Sequence, residues 1–70
     1  MDEEIFNQTL RQFLKKFGVT AQREMEQAVR AAVESGRLTG TESLPVRAHL
    51  TMEGAALDVT IDGTVRLSNH

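Results

Sequence analysis

The chain has no cysteine, so a disulfide framework and a thiolate metal site are both closed to it. It has no tryptophan or tyrosine, and its aromatic content is Phe6, Phe13 and Phe17 alone. Protein platforms that stack nucleic-acid bases are built on aromatic side chains, and none follows Phe17. Proline occurs once, at Pro45. No stretch approaches the roughly 18 apolar residues of a membrane helix. The acidic start, Met1-Asp2-Glu3-Glu4, is the reverse of a signal peptide's basic one, so a cytoplasmic location is expected. Neither sign of charge dominates: 8 basic residues stand against 10 acidic ones, for a net charge of -2. That balance argues against a surface built to neutralise phosphates. The glycines are scattered and form no phosphate loop.

What is present is patterned. Seventy residues make one small domain, and at this size apolar burial and chain entropy nearly cancel, so association often supplies the missing stability. From Asp2 to Phe17 the apolar residues return at helical spacing, and all but Ile5 share one stripe. Acidic residues at the start and Lys15-Lys16 at the end suit the helix dipole. The pattern predicts a helix over 2–17, closed by Gly18 in a left-handed C′ position. Thr20 serves as N-cap for a second helix over 21–35, with Met25, Val29 and Val33 inward, a Glu26–Arg30 pair outward and Gly36 at its end.

After the polar connection from Arg37 to Leu44 the period changes to two. Strands are expected at about 46–52, 55–61 and 64–67. A two-residue turn at Glu53-Gly54 would pair Leu50 with Leu57, Ala48 with Val59 and Val46 with Ile61. The opposite face would then pair His49 with Asp58 and Arg47 with Thr60. A three-residue loop, Asp62-Gly63-Thr64, would turn the chain into the third strand with Val65 and Leu67 on the apolar face. The expected architecture is α+β, ααβββ: a helix hairpin packed on one face of a three-stranded antiparallel meander. Its core would hold Phe6, Leu10, Phe13, Leu14 and Phe17, with Met25, Val29 and Val33 of the second helix and Leu50, Leu57, Val59 and Ile61 of the sheet.

Gly18-Val19-Thr20 has the look of a helix-turn-helix corner. In that motif the residue four before the glycine is small, and those six and nine after it are apolar. Here they are Leu14, Glu24 and Gln27, and the second helix has no net positive charge, so the corner folds the chain and does not read DNA. A weak nucleic-acid binder using this corner with Arg23, Arg30 and Arg37 stays as the second reading. His49 beside Asp58, with Thr51 and Thr60 near, is the one arrangement suggestive of catalysis. It lies on a flat sheet face without a pocket and reads as a cross-strand surface pair. With His49 alone in the interior and His70 at the terminus, a metal site lacks ligands. No enzyme and no cofactor are expected.

The leading reading is a non-catalytic interaction module that self-associates. Its expected surfaces are Ile5, which lies off the stripe, and the edge strand Thr64, Val65, Arg66 and Leu67. Pro45 and Arg47 discourage pairing along the first strand. The partner is a second copy, as a homodimer, or another protein.

The segment FNQTLRQFLKKFGVTAQREMEQAVR, followed by GRLTGTESLPVRAHLTM, resembles a family of short bacterial proteins of unknown function. FLKKFGVTAQRE is the most specific part, and the last ten residues stand outside the likeness. The resemblance implies a small bacterial protein with no assigned activity, cofactor or catalytic residue.

Overall fold

The computed structural model describes residues 1–69, which form one helix and two strands: α1 (Glu3–Glu34), β1 (Ser43–Met52) and β2 (Leu57–Arg66). They fall into two units, 1–37 and 38–69. Helix and strand are both present, but the expected helix hairpin and three-stranded meander are not.

In the first unit the corner at Gly18 does not exist. α1 is a single helix of 32 residues. Asp2 caps it, its carboxylate accepting from the N–H groups of Glu4 (3.0 Å) and Ile5 (3.1 Å), with Glu3 and Glu4 in the positive first turn. The helix runs on through Gly18 because its apolar phase does. Leu14, Phe17, Ala21 and Met25 follow at intervals of three, four and four on either side of the glycine. Glycine inside a helix costs about 1 kcal/mol relative to alanine, too little to end a run that both flanks favour. Gly18 has no positive φ, and Thr20 lies mid-helix rather than at a cap. The true end is Ser35-Gly36. Ser35 N–H donates to the Ala31 carbonyl (3.0 Å), Gly36 N–H donates to that of Val33 (3.1 Å), and Gly36 adopts φ 84°.

In the second unit β1 and β2 pair antiparallel without interruption, from Ser43 opposite Arg66 to Met52 opposite Leu57. The connection is longer than the expected two-residue turn: Glu53 to Ala56 lie between the strands, with Gly54 at φ 85° and Ala56 at φ 53°. Leu50 therefore faces Val59, Ala48 faces Ile61 and Val46 faces Gly63, a shift of two residues that leaves every side chain on its expected face. The separate third strand over 64–67 is also absent. β2 passes straight through Asp62-Gly63-Thr64 and sets Val65 against Leu44. Residues 57, 59, 61 and 65 already share one parity, so no loop is needed to keep them together. Leu67 N–H donates to the Glu42 carbonyl (2.9 Å) and carries the ladder one pair further. Since hydrogen-bonded pairs alternate with open ones, Pro45 falls at an open pair. Its nitrogen faces the outer edge, where no donor is required.

No described residue is buried. The expected core is overturned: Phe13 is 51% exposed and Phe17 49%. A single helix cannot cover its own stripe, and a two-stranded ribbon cannot cover its own face.

Candidate functional site

The first apolar surface is the stripe of α1. Its first half carries large side chains, and the rings of Phe13 and Phe17 stack with centroids 6.5 Å apart and planes 16° from parallel. Its second half is built mainly of alanine and valine around Met25. On the outer side Arg30 pairs with Glu26 at 3.5 Å, an exposed i,i+4 contact worth a few tenths of a kcal/mol.

The second surface is one face of the hairpin, where even positions from Leu44 to Met52 meet odd positions from Leu57 to Val65. Apart from Gly63, each of these residues is apolar. On β1, Leu44, Val46, Ala48 and Leu50 are half-buried, while Ile61 on β2 is 59% exposed. The reverse face is polar. There Arg47 Nε donates to Asp62 Oδ1 at 3.0 Å, and His49 Nε2 lies 2.6 Å from Asp58 Oδ1. His49 stands directly opposite Thr60, so its contact with Asp58 is diagonal rather than the expected direct pair. Both side chains are exposed, at 60% and 72%.

The expected interaction residues lie on separate elements. Ile5 lies in the first turn of α1, whereas Thr64, Val65 and Arg66 end β2 and Leu67 follows it. They therefore fall in different units. Arg23 and Arg30 lie on α1, Arg37 follows its end, and no helix-turn-helix corner remains to present them. Among the described residues no group of three acidic, histidine or cysteine side chains could hold a metal ion, and no helix is long and apolar enough to cross a membrane. His70 lies outside the described residues.

One site escaped the sequence reading. Glu42 turns its carboxylate back on the three residues before it. Oε2 accepts from the Thr39 N–H (2.9 Å) and the Thr39 hydroxyl (3.2 Å), and Oε1 accepts from the N–H groups of Gly40 (3.0 Å) and Thr41 (3.2 Å). Gly40, at φ 99°, makes the bend possible. The Thr39 N–H foremost, with the Gly40 N–H and the Thr39 hydroxyl, holds the Glu42 carboxyl below its ordinary value of 4.5. The signal was Thr39-Gly40-Thr41-Glu42: a bend-forming glycine between hydroxyl residues, followed by an acid. The cradle is filled by the chain's own carboxylate, so it serves as a clasp ahead of β1.

No curated protein and no solved structure matches the chain. A family described as of unknown function (DUF6494) matches residues 1–68, including nearly all of the C-terminal stretch left outside the resemblance. The match spans the helix, the Glu42 clasp and both strands, and the chain belongs to this family of unknown function.

Proposed function

We propose that the protein is a non-catalytic interaction module that works by associating with a second copy of itself. One observation carries this reading: large apolar side chains line both the helix and the hairpin, yet no described residue is buried. An isolated two-stranded hairpin is marginal in water, and a chain this short has little stability of its own. Covering these faces against another copy supplies what each lacks. The exposed setting of His49 and Asp58 supports a role without catalysis, since nothing around them excludes water. A bacterial source and a cytoplasmic location go with the same reading.

Sedimentation across a concentration series tests it. The expected result is a dimer or higher species at micromolar concentration, with a melting temperature that rises as protein is added. A monomer persisting to several hundred micromolar, with a concentration-independent melt, would overturn the proposal.

A further inference from the structure

Taking that self-association as its premise, we infer that α1 is the surface that meets the second copy, antiparallel about a two-fold axis at Ala21. Leu10, Leu14, Phe17 and Ala21 follow at intervals of four, three and four, and Ala21, Met25, Ala28 and Ala32 repeat those intervals. Read outward from Ala21, the series is the same in both directions. Two copies running in opposite directions therefore bring every position of the series onto a position of its partner. An isologous contact requires that self-complementarity.

Size selects the direction. Antiparallel pairing sets Leu10 against Ala32, Leu14 against Ala28, Phe17 against Met25, and Ala21 against itself. Bulky residues meet small ones along most of the seam, so the two axes keep an even separation. Parallel pairing would set Phe17 on Phe17 and Ala28 on Ala28, forcing the helices apart at one end and leaving voids at the other.

The period keeps the seam continuous. Each half of the series spans eleven residues in three turns, about 3.67 per turn, so a pair stays close to straight with a slight right-handed coil. Contact then extends over about 33 Å from Leu10 to Ala32 at 1.5 Å per residue. The exposed area suits a standard interface. Phe17 in the series and Phe13 beside it are 49 and 51% exposed, and phenylalanines bury roughly 150–250 Å² each. Covering these two gives about 200 Å², about a quarter of the roughly 800 Å² that a standard interface takes from each partner.

The chain contains no cysteine, so introduced ones report without background. Full-length Ala21→Cys, Leu14→Cys and Ala28→Cys are oxidised singly, and the last two also as an equimolar mixture. The expected result is a covalent dimer from Ala21→Cys and from the mixture, with at least about tenfold less from Leu14→Cys or Ala28→Cys alone, since their Cα atoms lie beyond the 4.4–6.8 Å that a disulfide spans. A spin label at Gln12, away from the seam, gives a readout that leaves the stripe intact. It should report more than about 27 Å between copies, the axial offset of eighteen residues at 1.5 Å each. Self-linking of all three single variants, or a label distance near 20 Å, means parallel pairing and overturns the inference. A dimer in sedimentation with no cross-link and no label distance below about 60 Å means that another surface associates. That result overturns this inference and leaves the proposed function standing, whereas a monomer overturns both.

Discussion

Glu42 ties the start of β1 to pH. Four donors hold its carboxylate, and its folded pKa lies below the ordinary 4.5. A carboxyl lowered in the folded state contributes stability that is present above its unfolded value and lost as pH falls through the folded one. Glu42→Gln should therefore loosen the start of β1 at pH 7, and its difference from wild type should shrink once the pH drops below 4.5. Amide exchange at Thr39, Gly40 and Thr41 measured against pH would read this directly. A pH-independent difference would mean that the clasp holds through shape rather than charge. Gly18 makes a second residue-scale prediction. It has ordinary helical φ, and a Cβ built there meets nothing within 4 Å. Gly18→Ala should stabilise α1 by about 1 kcal/mol, seen as a higher helix melting temperature by circular dichroism. A loss of stability would mean that a partner backbone approaches that point.

At the scale of elements, Gly63 repeats the logic of Gly18. It sits mid-strand opposite Val46, without positive φ and with open space where a Cβ would be. Gly63→Val should strengthen the hairpin by up to about 1 kcal/mol, measurable as slower exchange of the β1 and β2 amides. These two glycines also explain where the sequence misled. The helical and alternating periods, the faces of the apolar residues and the ends at Gly36 and Gly54 were legible, because periodicity records which side of an element needs cover. The number of elements was not. Gly18 and Gly63 were read as breaks, yet Phe17 to Ala21 keeps helical phase and Ile61 to Val65 keeps strand parity across them. Phase continuity outweighs a single glycine, whose cost is small beside a shared apolar face. The Glu42 clasp stayed hidden for a different reason: its bonds depend on a bend that no periodicity marks.

At the scale of the molecule, the absence of a buried residue among those described changes what a core substitution means. Phe17→Glu should leave the secondary structure of a dilute sample nearly unchanged and remove self-association, since Phe17 is 49% exposed and would place a charge in the seam. Sedimentation and circular dichroism on one sample separate the two effects. A wild-type association state in that variant would exclude the stripe.

The ribbon also has a polarity that comes from one atom. Any two-stranded hairpin with two open edges is at risk of unlimited growth, each new copy adding a strand and exposing another edge. Here Pro45 offers no N–H on the outer edge of β1, and Arg47 and Asp62 charge the face beside it. Growth through that side should stall, and the expected outcome is a chain that stays free of fibrils at concentrations where an unprotected amphipathic ribbon polymerises. Pro45→Thr restores the donor, and it should shorten the lag before thioflavin-positive fibrils form while leaving the pairing of β1 and β2 in place.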